Sequence, residues 1–224
     1  MANDKIAVVV GATGLVGSHC LQRLLHEDGY ARVVALVRRP LGERHDRLDE
    51  RVVDFDALPE DALAGATDVF CALGTTIRKA GSQEEFKKVD HGYTLAAAER
   101  ALKAGARRML LVSSVGADPE AGNFYLRVKG EAERDVAALP FEAVHVFRPS
   151  FLLGERGERR TGEAIGIALA RGVQGALIGG LRKYRPIEAE VVADAMVAAA
   201  REGQPGRHVH HHQDILRLAG PEGR

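Results

Sequence analysis

The stretch IAVVVGATGLVGSHCLQRLLH, residues 6–26, limits what this chain can fold into more than any other. Five apolar residues, four of them valine or isoleucine, read as a buried strand, Ile6–Val10. Leu15, Val16, Cys20, Leu21, Leu24 and Leu25 then recur near helical spacing over Leu15–His26. Between them lie Gly11, Gly14 and Gly17, three apart. Glycines alone specify little: with 25 in 224 residues, such a triplet arises by chance roughly 0.3 times. Its position at the first strand–helix junction gives it weight. Backbone there can approach a pyrophosphate with no Cβ in the way, and the helix N-terminus offers N–H groups and the positive end of its dipole.

The alternation continues. Arg32–Val37 reads as a second strand, Arg51–Asp54 as a brief third, Asp68–Leu73 as a fourth, Met109–Ser113 as a fifth and Phe141–Phe147 as a sixth. Ser82 and Glu85 have capping-box spacing and predict one long helix through about Ala104. A further helix is expected from about Tyr125 to Ala138. After Pro149 the chain becomes glycine-rich without strand rhythm, as a ligand-covering loop with a short helix would be. Glu188–Arg201 reads as a helix, and RHVHHHQDILRLAG as a last strand and a short helix. The expected architecture is α/β: one Rossmann-type, doubly wound parallel sheet. Residues 1–149 would form the cofactor-binding core, 150–187 a small substrate-covering region, and 188–224 a C-terminal helix and strand.

Charge and cysteine usage exclude other classes. The 31 basic and 31 acidic residues cancel, so nothing pulls the chain as a whole toward nucleic acid or anionic membrane. The two cysteines, Cys20 and Cys71, lie in apolar stretches and read as reduced, buried thiols. The apolar run at the N-terminus is too short for a signal peptide, and none approaches the ~20 residues of a membrane span. A cytoplasmic protein is expected, with a homodimer left open.

The tip of the second strand, VVALVRRP, distinguishes the dinucleotides. NAD-selecting sites place an acid about 20 residues past the glycines, to accept from the ribose 2′-OH. Arg38 and Arg39 stand here instead, and guanidinium forks suit the 2′-phosphate of NADP. NADP(H) is therefore expected over NAD. Asp54 would lie near the adenine as an acceptor, with Asp56 a competitor two residues on.

NFYLRVKGE, residues 123–131, places Lys129 one helical turn after Tyr125. A free tyrosine titrates near ~10. A neighbouring ammonium favours the phenolate and fits the phenol for proton exchange near neutral pH. A carbonyl substrate also needs a partner to orient its oxygen. LLVSSVGAD supplies Ser113 and Ser114 at the end of the fifth strand, where open parallel sheets bind ligands.

GATGLVG, SS, YLRVK and FRPSFLLG together resemble a short-chain dehydrogenase/reductase of the compact, atypical branch. CALGTTIRKAG, FKKVDHGY and VSSVGADPEAGNFYLRVKGEAE are similar to the Tat-interacting oxidoreductase-like proteins, over nearly all of Ile6 to Val197. The resemblance implies a single NADP-binding Rossmann domain. It puts Ser114 in the catalytic serine's place, Tyr125 as general acid/base and Lys129 as its partner, which also holds the nicotinamide ribose. Gly11, Thr13, Gly14, Leu15, Val16 and Gly17 would form the phosphate loop, and Arg38 would read the 2′-phosphate with Arg39 beside it. Leu73 and Gly74 would sit under the cofactor, Pro149 near the nicotinamide, and Ser113 with the cofactor-binding set. Which serine faces the substrate stays open. Two departures from the family pattern stand out: ALGTT replaces an asparagine-rich turn, and Asp90 takes the place of a proton-relay asparagine.

The expected activity is NADP(H)-dependent reduction of a small carbonyl or quinone-like compound. An NADP(H)-binding sensor or scaffold with little catalysis is the rival. A sugar-nucleotide epimerase ranks third, because the region after Pro149 is short for so bulky a substrate. His208, His210, His211 and His212 suggest a metal, but no set of partners completes a tetrahedron, and no metal is expected. Arg159 and Arg160 read as a solvated loop, and Tyr184 as a residue that lines the pocket or packs beside it.

Overall fold

The computed structural model describes residues 5–154 and 179–220. Nine strands and seven α-helices fall within those residues. The strands are β1 Ile6–Val10, β2 Arg32–Val37, β3 Leu48–Val52, β4 Asp68–Cys71, β5 Arg108–Val112, β6 Ala143–Phe147, β7 Leu152–Leu153, β8 Ile187–Glu188 and β9 Gly206–His210. The helices are α1 Leu15–His26, α2 Ile77–Ala80, α3 Gln83–Lys87, α4 Thr94–Lys103, α5 Phe124–Ala138, α6 Ala189–Glu202 and α7 His212–Ala219. Seven strands form one sheet in the order β3-β2-β1-β4-β5-β6-β9, every pair parallel. β7 and β8 form a separate parallel pair.

Both faces of the sheet are covered, because alternate residues of each strand point to opposite sides. Val9, Ala35, Phe70 and Leu110 pack with Leu21 and Leu24 of α1 and Met196 of α6. Their chain neighbours Val10, Val34, Val69 and Met109 pack on the other side with Ala97 and Ala101 of α4 and Val136 of α5. The strand order reverses between β1 and β4, which leaves a crevice at the carboxyl ends of those strands.

The opposite end of the sheet is closed by a buried polar cluster. Asp68, fully buried at the start of β4, accepts from Tyr30 Oη at 2.8 Å and pairs with the Arg108 guanidinium. Burial, and then the Asp68 carboxylate, push the Tyr30 phenol upward, so it stays a donor.

Element boundaries depart from the sequence expectation in several places: β4 ends at Cys71 rather than Leu73, β6 begins at Ala143 rather than Phe141, and three departures are larger. β3 runs over Leu48–Val52 rather than Arg51–Asp54; it is an edge strand whose residues are half-buried or exposed, so its composition carries little apolar signal. The long helix expected from Ser82 is broken into α3, a π turn at Lys88–Tyr93, and α4. The turn before it contains the short α2, capped by Thr76. Arg159 and Arg160, with most of the expected covering segment, lie outside the described residues.

Candidate active site

The crevice is built first by the glycine turn. Gly14 N donates to Gly11 O at 2.8 Å. Gly14 stands at the N-cap of α1, where no side chain caps the helix and its first turn holds no acid. A Cβ on Gly17 would stand 2.1 Å from Gly11 O, while Gly11 itself has φ +91° against the backbone of Ala72. Only hydrogen fits at 17, and the turn packs against the backbone of Ala72, just past the end of β4. Thr13 is exposed, Leu15 half-buried, and Val16 turns inward, 4% exposed.

Arg38 and Arg39 follow β2 directly and are exposed; neither has an ion-pair or hydrogen-bond partner among the described residues. Asp54 is exposed and caps a 3-10 turn at Phe55–Ala57 through a bond from Asp56 N. Asp56 is occupied: Tyr93 Oη donates to it at 2.7 Å and Lys88 Nζ lies at 2.6 Å.

At the end of β4, Ala72 N donates to Val10 O, and the chain leaves the sheet through Leu73, half-buried, and the exposed Gly74. At the end of β5, Ser113 N donates to Phe147 O at 2.7 Å. Ser113 is 6% exposed, and its Oγ meets no hydrogen-bond partner. Ser114 is half-buried, with Oγ 3.4 Å from Val115 O. Val115 N donates to the carbonyl of buried Pro149 at 2.9 Å, which ties together the loops leaving β5 and β6.

α5 carries Tyr125 and Lys129 to this end. Asn123 caps it, accepting from Leu126 N. Gly130 brings the loop after β5 against the helix: a Cβ there would stand 2.2 Å from the Asp118 carbonyl carbon. Glu133, 7% exposed, anchors the same helix to β6 by accepting from Arg148 Nε at 3.0 Å. Tyr125 is half-buried, its ring centroid 5.5 Å from that of Phe86. Lys129 is 7% exposed, and its Nζ lies 2.7 Å from Asp90 Oδ1. The other Asp90 oxygen accepts from Thr75 N at 2.9 Å. Burial by itself works against the ammonium, but Asp90 and the charge interaction with Tyr125 outweigh it and hold the lysine above its ordinary value. A Cβ on Gly74 would stand 3.8 Å from Nζ, which places the loop after β4 beside the pair.

Gly11–Gly17, Leu73, Gly74, the two serines, Pro149, Tyr125 and Lys129 thus all lie on or directly after the carboxyl ends of the strands, or on the helix packed there. Arg38, Arg39 and Asp54 lie along the β2–β3 side of the same end. Sequence reading does not bring out the contact of Asp90 with Lys129, the Glu133–Arg148 anchor or the role of Gly130. A helical wheel through the expected long helix ignores the π turn that sets Asp90's direction. Gly130 is one glycine among 25. His208 and His210 stack with His145: the His145 ring lies 4.8 Å from His208 and 5.3 Å from His210, with His145 Nδ1 3.0 Å from His210 Nε2. Among the described residues, no group of three or more potential ligands is arranged to hold a metal ion.

A parallel sheet of this order with glycines at its reversal point defines a Rossmann-type α/β protein with its crevice at a nucleotide-binding position. The sequence profile of an NAD(P)H-binding family matches residues 11–202, and the chain belongs to that family. Protein HTATIP2 of Rattus norvegicus is 41% identical over 165 residues, 71% of this chain and 68% of that protein. Protein FMP52, mitochondrial, of Eremothecium gossypii is 36% identical over 197 residues, 87% and 88% of the two chains. Among solved structures, MoeE5 in complex with UDP-glucuronic acid and NAD superposes with a TM-score of 0.70 at 25% identity, over 92% of this chain and 75% of that one. UDP-glucuronic acid 4-epimerase from Bacillus cereus, in complex with NAD, shares the fold: TM-score 0.63, 15% identity, 88% and 73% covered. No helix among the described residues is long and apolar enough to cross a membrane.

Proposed function

We propose that this protein is an NADP(H)-dependent reductase of a small carbonyl or quinone-like compound. The observation that carries the reading is the buried Lys129 ammonium, held beside Gly74 and one helical turn from Tyr125. A buried lysine on the catalytic side of a nucleotide-binding sheet marks a functional site more readily than a structural one.

NADPH, when bound, supplies the hydride for the substrate carbon. The uncapped N-terminus of α1 and the backbone of Gly11–Gly17 would hold the diphosphate, with Thr13, Leu15 and Val16 completing the loop. Arg38 and Arg39 would bind the 2′-phosphate, Asp54 would accept from the adenine, and Lys129 would donate to the nicotinamide ribose. Leu73, Gly74, Ser113 and Pro149 line the floor. Tyr125 Oη gives its proton to the substrate oxygen, Ser114 Oγ orients that oxygen, and the phenol recovers a proton from solvent. The bound nucleotide would supply two electrons as hydride, and the one proton from Tyr125 would complete the alcohol.

Tyr125→Phe should retain NADPH binding and lose about 10²–10⁴ in the rate of NADPH consumption against a carbonyl panel. Arg38→Ala with Arg39→Ala should weaken NADPH at least tenfold and leave NADH unchanged, read by fluorescence titration. Equal affinity of the unaltered protein for the two dinucleotides would defeat the arginine assignment.

One observation favours a second reading. The Asp90 carboxylate offsets part of the lysine's charge at the phenol, which suits an NADP(H)-binding sensor with little turnover. No carbonyl consumed, together with NADPH affinity unaffected by Tyr125→Phe, would select it. A cytoplasmic location, suggested by two free buried thiols, competes with a mitochondrial one, the compartment in the name of the FMP52 relatives; fractionation decides between them.

A further inference from the structure

The pair formed by Asp90 and Lys129 does more than fill the interior. We propose that Asp90 is a positioning residue of the nucleotide site, which keeps Lys129 ionised inside the protein and fixes it against the loop after β4. The inference rests on the reading of Lys129 as the donor to the nicotinamide ribose.

Asp90 is 2% exposed, and its two oxygens differ: Oδ1 forms an ion pair with Lys129 Nζ at 2.7 Å without hydrogen-bond alignment, and Oδ2 accepts from Thr75 N at 2.9 Å. One side chain therefore joins the π turn, the loop that carries Gly74, and α5. The turn at Lys88–Tyr93 interrupts regular α-helical winding where Asp90 must point inward; π turns of this kind concentrate at functional sites. The other titratable groups facing the ammonium are Tyr125 on its own helix and Cys71 on β4. Burial pushes the Cys71 thiol upward, so it carries no charge near neutrality. Asp90 is the one ion-pair partner of Lys129 among the described residues. Without it, a buried lysine surrenders its proton at lower pH, and a neutral amine is a poorer donor to a ribose hydroxyl.

Asp90→Asn isolates the charge, because the amide oxygen still accepts from Thr75 N. The test compares the unaltered protein, Asp90→Asn, Lys129→Met and the double variant in NADPH titrations from pH 6 to 10. It adds ¹³C NMR titration of the Lys129 Cε. The unaltered protein should bind evenly across that range. Asp90→Asn should lose affinity as pH rises, with the Cε midpoint lowered by about 1 pH unit or more. The double variant should bind no worse than Lys129→Met alone. Asp90→Asn that binds like the unaltered protein at every pH, beside a weakened Lys129→Met, would overturn the inference. Should Lys129→Met bind NADPH normally, the ribose reading fails instead, and the Cε titration alone judges whether Asp90 holds the charge. If Asp90→Asn does not fold, the double variant strands no charge and serves in its place: affinity far below that of Lys129→Met would mean that Asp90 acts apart from the lysine.

Discussion

Tyr125 and Lys129 show how far a spacing of four residues reaches and where it stops. The spacing makes them neighbours on one helix face, but it leaves open whether that face meets water. Glu133 answers this, because its bidentate pairing with Arg148 turns α5 onto β6. With Lys129 inside and only 9% of its side chain exposed against Asp90 at 1%, removing one partner strands the other. Asp90→Ala should therefore destabilise the fold by about 3–5 kcal/mol in chemical denaturation. Gly130 tests the same packing from the other side. An added methyl must displace the backbone at Asp118, so Gly130→Ala should cost about 1–3 kcal/mol. It should also lower turnover by shifting the loop that begins at Ser114, while leaving NADPH affinity nearly intact.

Burial made the existence of a strand legible more than its ends, since β4 and β6 are buried throughout and yet each is two residues shorter than its expected run. β1 coincides with its apolar run, and β2 is apolar on both faces from Val33 to Val37 with the exposed Arg32 ahead of it. β3 shows only a partial face to the interior, and its register is set by pairing with β2 rather than by its own pattern. The run from Gln83 to Lys103 has helical periodicity throughout, so its π turn leaves no mark in composition. The last strand, β9, brings His208 and His210 beside His145 of β6. Burial, followed for His145 by the two neighbouring imidazoles, lowers both His145 and His210 to about 4. Folded values below the ordinary 6.5 mean that the unfolded chain binds more protons between those limits. The stack thus contributes its full stability above about pH 6.5 and loses it as pH falls toward 4. The melting temperature should decline across that window, and His210→Phe should flatten the decline. A decline of equal slope in the variant would assign the acid sensitivity elsewhere.

For the molecule as a whole, the alternation of apolar runs with helical segments was enough for the class of fold, because a parallel sheet demands crossovers and buried faces together. The reversal between β1 and β4 then locates the crevice without reference to any side chain. Chemistry was less legible. The candidate residues come from several different elements, and their mutual approach depends on backbone contacts such as Val115 with Pro149 that no local pattern encodes. Since the nucleotide would bridge these elements, NADPH at 100 times its Kd should raise stability by about 2.7 kcal/mol. Calorimetry with NADPH and NADH in parallel would read this directly, and an unchanged melting temperature with both would count against nucleotide binding.

The Asp68–Arg108–Tyr30 cluster fastens the strands at the end away from the crevice. A molecule clasped at its heel and parted at its toe should breathe lengthwise. Amide deuteration should advance from the strand tips backward, so that the amides of Val69 and Met109 outlast those of Ser113 and Gly74. Coenzyme would then act as a second clasp and even out that gradient.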